Sequence, residues 1–225
     1  MNGQLNPQSS ILNPSKAKLY IVAAPPGAGK STLVNALIDK IDDVMLSISY
    51  TTRSQRKGEV DKVNYNFIDH DEFEAMIKAN EFLEYANVFS KISNNYYGTG
   101  KAWVEQQLAG GHNVILEIDW QGAQQIFKTY PDAVGIFILP PSMAVLEQRL
   151  HKRGREDKAE IDSRMSIAKD EISHCEEYHY VVINDDFEHT LEELAAIFKG
   201  SIPLMGPGRT NFPNKIQDLL TDLLA

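Results

Sequence analysis

A glycine-rich segment with one lysine and two hydroxyl side chains follows directly after the apolar run Leu19–Ala23. Its residues are Ala24, Pro25, Pro26, Gly27, Ala28, Gly29, Lys30, Ser31 and Thr32. Residues of these types at this spacing form a turn between a strand and a helix, and the backbone N–H groups of that turn surround a polyphosphate. In this pattern the lysine reaches the terminal phosphates, and the serine hydroxyl binds Mg²⁺. The segment therefore predicts a nucleoside triphosphate site in which Lys30 is catalytic and Ser31 is a metal ligand.

The first position of this loop departs from the usual pattern, because Ala24 stands where glycine is expected. Alanine is the smallest replacement, so we expect the loop to form, with Gly27 and Gly29 supplying backbone angles that a side chain would forbid. A glycine-rich turn without a ligand is the alternative interpretation. The β-rich run before the loop, and the helical spacing of Val34 and Leu37 after it, favour the phosphate site.

Positive charge is concentrated in two segments of a chain whose formal net charge is −9. One segment holds Arg53 and Arg56, and the other lies between Arg149 and Lys158. Either cluster alone would be interpreted as a solvated face, but the phosphate loop favours phosphate contacts for both, since a guanidinium group grips phosphate oxygens in pairs. The acidic balance of the whole chain argues against a general nucleic-acid binder.

The composition is that of a globular protein of 225 residues, which suggests one or two domains. No apolar stretch approaches the roughly 20 residues that cross a bilayer, so no membrane partner is expected. Residues 1–15 are polar and predict a flexible tail without the apolar segment of a signal peptide. The single cysteine, Cys175, has no internal disulfide partner, which favours a reducing, cytoplasmic location.

Apolar runs alternate with helical patterns along most of the chain. The predicted strands are Leu19–Ala23, Val44–Ser49, Asn113–Ile118, Ala133–Leu139 and Tyr180–Asn184. The predicted helices are Lys30–Lys40, Glu72–Lys78, Thr99–Ala109, Gln121–Lys128, Ser142–Lys152, Ala159–Glu176 and Phe187–Phe198, with a last amphipathic segment near the C-terminus. Near-continuous apolar strands between helices predict an α/β fold whose parallel sheet is covered on both faces.

One region interrupts this alternation. Residues 50–98 hold short alternating stretches, such as Tyr65–Phe67 and Phe82–Tyr85, which predict a small mixed α/β insertion with antiparallel strands of its own. Residues 141–170 carry the second basic segment between two helical patterns and predict a helical lid. The core is then assigned to residues 16–49, 99–140 and 171–225.

The insertion contains a series of motifs that continues into the core. The motifs are Ser49-Tyr50-Thr51-Thr52-Arg53-Ser54-Gln55-Arg56-Lys57-Gly58-Glu59, Tyr65-Asn66-Phe67, Glu81-Phe82-Leu83-Glu84, Asn95-Tyr96-Tyr97-Gly98-Thr99, Leu116-Glu117-Ile118-Asp119-Trp120-Gln121-Gly122 and Val182-Ile183-Asn184-Asp185-Asp186. In combination they resemble the guanylate kinase family, of the bacterial type, over about residues 18 to 200. The resemblance implies the three-layer fold of P-loop NTPases, with a GMP-binding insertion and a lid.

The resemblance also implies an activity, namely direct in-line transfer of the γ-phosphate from ATP to GMP, and to dGMP as well, without a covalent intermediate. It implies that the loop residues 24–32 and Asn184 bind ATP together with Mg²⁺. It implies acceptor contacts from Ser49, Arg53, Arg56, Tyr65, Glu84, Tyr97, Thr99, Glu117 and Asp119, with Arg53, Arg56, Tyr65 and Tyr97 forming the site of the acceptor phosphate. Catalysis would then be shared by Lys30, Arg53, Arg149, Arg153 and Arg164.

The chemistry of GMP fits several of these assignments. Guanine presents two donors, which a carboxylate such as Glu84 can accept, and an O6 acceptor that hydroxyl groups such as those of Ser49 and Thr99 can contact. Adenine would leave Glu84 unpaired. Glu117 and Asp119 suit a hydrated Mg²⁺ or the guanine edge, and we expect Asp119 to lie near the acceptor nucleotide and the waters of the metal.

Two other classes of protein remain alternatives. Guanylate-kinase-like domains of scaffold proteins bind peptides, but they typically lack the intact phosphate loop that Lys30 and Ser31 complete here. A related kinase that acts on a phosphorylated ribose would not need the guanine set of Ser49, Glu84 and Thr99. The sequence leaves the oligomeric state open between a monomer, a homodimer and a higher homo-oligomer.

Overall fold

Nine strands and eight α-helices make up the part of the chain that the structure, a computed structural model, describes: residues 17–89, 94–152, 158–202 and 214–224. The strands are β1 (Leu19–Ala23), β2 (Val44–Leu46), β3 (Tyr50–Thr51), β4 (Asn66–Phe67), β5 (Phe82–Phe89), β6 (Asn94–Gly100), β7 (Asn113–Glu117), β8 (Val134–Leu139) and β9 (Tyr180–Ile183). The helices are α1 (Lys30–Lys40), α2 (His70–Lys78), α3 (Lys101–Ala109), α4 (Trp120–Thr129), α5 (Met143–Lys152), α6 (Lys158–Ser173), α7 (Phe187–Phe198) and α8 (Asn214–Leu224).

The larger sheet has five strands in the order β2-β7-β1-β8-β9, and all of its pairs are parallel. This confirms the predicted parallel α/β fold. The central strand β1 is buried along its whole length, and its side chains alternate between two apolar clusters. Leu19 and Ile21 belong to one cluster, and Tyr20 and Val22 to the other. Helices therefore cover both faces of the sheet, and the carboxyl ends of its strands converge at one edge.

The smaller sheet belongs to the insertion and has the order β4-β3-β6-β5. The predicted antiparallel strands are found in the β3–β6 and β5–β6 pairs, but β3 and β4 are parallel. The parallel pair forms because the chain between these two strands returns through the turns around Gly58 and Lys62, whose φ angles are +89° and +62°. This sheet extends to Gly100, two residues beyond the predicted end of the insertion.

Aspartates cap the first turn of three helices. The side chains of Asp69, Asp119 and Asp186 accept hydrogen bonds from backbone N–H groups in the first turns of α2, α4 and α7. Such caps satisfy N–H groups that the helix itself leaves unpaired. Helix α1 is different. Its N-cap residue is Gly29, which has no side chain to cap the helix, and its first turn holds no acidic residue. Its first N–H groups are therefore available to an anion.

Several element boundaries differ from the predicted ones. The strand predicted to reach Ser49 ends at Leu46, and Thr99, predicted to start a helix, lies in β6. Helix α6 ends at Ser173, and a 3₁₀ turn (Cys175–Glu177) follows it. The C-terminal helix α8 packs against the body of the protein through Ile216, Leu220 and Leu223. Within the described ranges, none of the helices has the length and apolar character that crossing a membrane requires.

Candidate active site

The glycine-rich loop after β1 has the backbone geometry of a phosphate-binding loop. Gly27 and Gly29 have φ angles of +91° and +96°, which side chains rarely adopt. Among the described residues, the non-glycine positions with positive φ are Asp43, Lys62 and Asn80, so Ala24 occupies an ordinary conformation. The first position of the loop therefore does not require glycine here, and the departure from the usual pattern leaves the turn intact.

Two side chains from elsewhere in the core hold this loop in place, one just after β9 and the other on helix α5. Asn184 is buried, and its Nδ2 donates a hydrogen bond of 2.7 Å to the carbonyl oxygen of Ala28. Arg149 donates to the same oxygen at 3.3 Å and to the carbonyl oxygen of Asn184 at 3.1 Å. A Cβ at Gly29 would lie 2.6 Å from Nδ2 of Asn184, so this contact also requires glycine.

A cavity of about 410 Å³ opens beside the loop. Its lining residues are Gly27, Gly29, Thr32, Arg149, Lys152, Asn184, Asp185 and Phe187. The lining combines two cationic side chains with an aromatic ring that is 36% exposed. This combination suits a nucleotide, whose phosphates bind cations and whose base stacks on an aromatic face. Asn184, predicted to bind ATP, is therefore at this cavity, with its amide nitrogen bonded to the loop.

Ser31 is bonded to Glu117, whose strand β7 lies next to β1. The Ser31 hydroxyl donates to Oε2 of Glu117 at 3.0 Å. The other oxygen of this carboxylate, Oε1, is buried and accepts no hydrogen bond from the described residues. A hydroxyl group beside a carboxylate with a free oxygen is a donor set of the kind that binds hydrated Mg²⁺. The residues present therefore fit the metal that the loop pattern predicts.

Asp119 has a different role in the structure from the one expected of a strand residue. Strand β7 ends at Glu117, and Asp119 caps helix α4 by accepting the Gly122 N–H at 2.9 Å. The two carboxylates therefore do not project from one strand, because the chain has already turned into the helix at Asp119. It is Glu117, rather than Asp119, that contacts Ser31.

Arg53 is the centre of a cluster on the insertion. Its guanidinium group lies 5.2 Å from the centre of the Tyr65 ring, and the Tyr65 and Tyr97 rings meet edge to face at 6.0 Å. Burial raises the pKa of Tyr65, which keeps its hydroxyl group protonated as a hydrogen-bond donor. The structure thus brings together three of the four residues predicted to bind the acceptor phosphate. The fourth, Arg56, has an exposed side chain on the same loop.

Glu59 organises this loop, although no role was predicted for it from the residue pattern. Its carboxylate accepts two hydrogen bonds from Arg53, at 2.9 and 3.0 Å, and one from the backbone N–H of Arg56 at 2.7 Å. The hydrogen bond from Arg53 lowers the pKa of Glu59, so the pair stays ionised. The available signal was its place at the end of the arginine motif.

Glu84 is a buried carboxylate at the junction of the two sheets. Only 4% of the residue is exposed, and Thr99 on the neighbouring strand β6 donates a hydrogen bond of 2.6 Å to Oε1. Ser49 lies just before β3 and is half-buried, and its carbonyl oxygen accepts the Asn66 N–H. Glu84 and Thr99, two members of the predicted guanine set, are therefore in direct contact.

The environment of Glu84 favours its protonated form in the free protein. Burial raises the pKa of Glu84 to about 7, with a smaller increase from Asp119, while the hydrogen bond from Thr99 lowers it. A guanine ring offers two N–H donors, and accepting both of them requires the ionised carboxylate. The predicted contact of Glu84 with guanine would therefore compete with proton binding to this carboxylate.

We expect the affinity for GMP to fall by about tenfold per pH unit as the pH drops below about 7. Fluorescence or calorimetric titrations between pH 6 and 8.5 would measure this. The Glu84→Gln variant is the control, because it cannot titrate and should lose the dependence. Linkage predicts a second effect: since the folded-state pKa lies above the ordinary value of 4.5, the contribution of Glu84 to unliganded stability declines as the pH rises from about 4.5 to 7.

A second buried carboxylate, Glu171 on α6, was not found from the sequence. Burial raises its pKa to about 8, with a further increase from Asp119, while Lys30 lowers it. Its Oε2 accepts no hydrogen bond from the described part of the chain. Glu171 is therefore a buried carboxyl group whose protonated form is favoured and which lies within electrostatic range of Lys30. Its position inside a regular helical pattern gave no signal of this.

The remaining predicted arginines lie on the lid segment. Arg149 contacts the loop as described above, and Arg164 is half-buried on α6. Arg153 lies outside the described residues, as does Gly154. A separate cavity of about 620 Å³, lined by residues such as Tyr50, Met76 and Trp103, contains none of the predicted site residues.

Comparison with known proteins gives consistent relatives. Residues 16–201 match the family model described as guanylate kinase. A guanylate kinase of Hahella chejuensis is 48% identical over 207 residues, which cover 92% of this chain and 98% of that protein. One from Saccharophagus degradans is 53% identical over 179 residues, covering 80% and 85%. A crystal structure of guanylate kinase from Anaplasma phagocytophilum superposes with a TM-score of 0.69 at 32% identity, covering 87% of this chain and 89% of that one.

Proposed function

The chain belongs to the guanylate kinase family and transfers the γ-phosphate of ATP to GMP, and we propose that the side chains described above divide this reaction between them. The observation that carries this division is the buried Glu84–Thr99 pair on the same chain as an intact phosphate loop. The pair supplies an acceptor carboxylate and a hydroxyl group for guanine, and the loop supplies the site of the donor phosphates.

The acceptor phosphate is proposed to bind between Arg53, Tyr65 and Tyr97. Glu59 accepts two hydrogen bonds from the Arg53 guanidinium and the Ser54 carbonyl oxygen accepts a third, so the remaining N–H groups of Arg53 are held in a fixed direction. Tyr65 and Tyr97 add two phenolic donors beside them. Arg56, whose backbone is tied to Glu59, brings a second guanidinium from the same loop.

Transfer itself needs little covalent chemistry from the protein. The nucleophile is a phosphate oxygen of GMP, whose second pKa is about 6, so it is largely ionised at neutral pH without a general base. The chain's task is to align the two nucleotides and to neutralise charge on the transferred group. Lys30 addresses the donor phosphates, and Arg149 lies at the same loop. We assign Arg153 and Arg164 to the transferred phosphate, as the family resemblance implies.

Ser31 and Glu117 are proposed to hold Mg²⁺ with ATP, Ser31 through its hydroxyl and Glu117 through the buried oxygen that accepts no hydrogen bond from the described residues. The ion would supply positive charge against the β- and γ-phosphates. Asp119 lies two residues further on, and we keep it as a second contact through water.

Residues 50–98 are proposed to form the GMP-binding lobe and residues 141–170 the lid. Both segments carry arginines that the reaction requires. In the strand order of the larger sheet, β1, which leads into the phosphate loop, lies between β2, which precedes residues 50–98, and β8, which precedes residues 141–170. Closure of the two segments would bring these charges together and would exclude water from the γ-phosphate.

A coupled assay of ADP release tests the assignment of the acceptor. With ATP and Mg²⁺, we expect turnover with GMP and dGMP and little with AMP, CMP or UMP, since the proposed contacts address the base and the phosphate rather than the 2′ position. A site built on hydrogen bonds rejects an analogue that lacks them by about 10⁴-fold in favourable cases. Comparable turnover with AMP would contradict the role of Glu84, and a peptide-binding scaffold domain would show no turnover at all.

A further inference from the structure

Strand β5 is an edge strand of the smaller sheet, so one side of its backbone has no neighbouring strand. At Tyr85 the backbone groups on this open edge form hydrogen bonds with a glutamine side chain instead. The amide of Gln125, on core helix α4, donates from Nε2 to the Tyr85 carbonyl oxygen at 2.9 Å and accepts the Tyr85 N–H at Oε1 at 3.3 Å. Gln125 thus makes the two hydrogen bonds that a residue of an adjacent strand would make.

The residue next to Tyr85 in the chain is Glu84, and the same helix also shapes its surroundings. A Cβ on Gly122 would lie 2.5 Å from Oε2 of Glu84, so the carboxylate fits only because this position in the first turn of α4 is glycine. On the other side of Glu84, the pairing of β5 with β6 shifts register between Phe82 and Glu84. Such irregularities change the direction of side chains. A contact from outside the sheet can then hold the Glu84 side chain in one direction.

We propose that Gln125 is a positioning residue for guanine recognition: by pairing with both backbone polar groups of Tyr85, it holds β5 against α4 and thereby fixes the direction of the Glu84 carboxylate. The inference rests on the proposed role of Glu84 in reading guanine. It adds to that role a residue that touches neither nucleotide and that belongs to the core rather than to the insertion.

The choice of side chain follows from the chemistry of the contact. An amide carries a donor and an acceptor on one planar group, which matches a backbone N–H and C=O of the same residue. The preceding residue, Gln124, provides a comparison within the same helix. Its Nε2 donates to the carboxylate of Glu177, at 2.9 and 3.2 Å, and not to the insertion. The two glutamines are both partly buried, but Gln124 bonds to a core residue and Gln125 bonds to the insertion.

The test compares Gln125→Ala with the matched control Gln124→Ala. The substrates are GMP and inosine monophosphate, whose base keeps N1–H and O6 but lacks the 2-amino group that Glu84 is proposed to accept. For Gln125→Ala we expect the KM for GMP to rise about tenfold, the loss that one or two hydrogen bonds would cause. The preference for GMP over inosine monophosphate should fall by a similar factor. The kcat and the KM for ATP should stay within about twofold of wild type. Gln124→Ala should change neither the KM for GMP nor the preference for GMP over inosine monophosphate.

Hydrogen exchange at the Tyr85 amide gives a readout that does not depend on activity. Because Gln125 accepts this N–H, exchange should be at least about tenfold faster in Gln125→Ala and unchanged in Gln124→Ala. Gln125→Glu keeps the length and the acceptor but loses the donor at neutral pH, so we expect an intermediate loss of selectivity. This variant also keeps the test decisive if Gln125→Ala does not fold.

The outcomes separate this inference from the proposal on which it rests. If wild-type protein and Glu84→Gln both fail to distinguish GMP from inosine monophosphate, the role of Glu84 is wrong. If Glu84→Gln reduces the preference but both Gln125 variants retain it, Glu84 reads guanine without help from α4, and the positioning role is overturned. Equal effects of the Gln125→Ala and Gln124→Ala substitutions would also overturn it, because they would report a general loss of stability.

Discussion

Replacing Lys30 by alanine is expected to reduce kcat by at least about 10²–10³-fold, the usual effect of removing one preorganised charge or donor from a transition state. Lys30 begins helix α1 directly after Gly29, where the first turn has no acidic residue and no side-chain cap. Its ammonium group is the cation that the loop directs at the β- and γ-phosphates. Steady-state assays with saturating ATP and GMP would measure the loss.

The binding of GMP should be nearly unchanged in the same variant, because the acceptor contacts belong to the insertion. Titration of GMP against the variant without ATP tests this separation. Lys40→Ala is a matched control at the other end of α1, where Lys40 forms an ion pair with Glu192. We expect that control to keep wild-type turnover. Near-wild-type turnover of Lys30→Ala would mean that the phosphate loop is not the donor site.

Replacing Glu84 by glutamine is expected to cost about 1–3 kcal/mol in the recognition of GMP, which corresponds to a rise of about 5- to 150-fold in its KM. The substitution keeps the size of the side chain but exchanges one acceptor oxygen for an NH₂ group. In a site where 4% of the residue is exposed, that group would face the guanine donors with no water to relieve the mismatch. The KM for ATP should be unaffected.

Glu81→Gln is the control for this substitution. Glu81 lies three residues earlier, just before β5, and its side chain is exposed, so the same chemical change should leave the KM for GMP at its wild-type value. An unchanged KM in Glu84→Gln would exclude Glu84 as the residue that reads the base. A preference for guanine would then have to come from the hydroxyl groups of Ser49 and Thr99.

Local patterns were sufficient to predict the features that are themselves local. The phosphate loop is a continuous segment, and its two positive φ angles fall on the glycines that the pattern marks. The five strands of the larger sheet are apolar runs, which a sequence displays directly. The chemistry of guanine and the family resemblance put Thr99 and Glu84 in one predicted set, but their direct hydrogen bond was not predicted.

The features that escaped prediction depend on which segments meet in space. Nothing in the run from Tyr50 to Phe67 indicates that β3 and β4 pair in parallel. Asp119 could have continued a strand, and its capping of α4 follows only from where β7 ends. Gln125 and Glu171 lie in helical patterns that describe which face is apolar, but not which polar side chain meets a neighbouring element.

The position of β1 in the centre of the larger sheet has a consequence for how the chain acquires its fold. Both neighbours of β1 come late: Tyr20 pairs with Ile115 on one side and with Val134 on the other. Strand β2 is also paired only with β7, which follows the whole insertion. During synthesis, the segment that bears the phosphate loop therefore emerges first but has no hydrogen-bonded neighbour in its sheet until β7 has left the ribosome. Pairings so distant along the chain slow folding, because a long loop must close before they form. The strands of the insertion are nearer to one another in the chain. The insertion can therefore assemble before the larger sheet, although β1 and β2 of that sheet precede it in the chain.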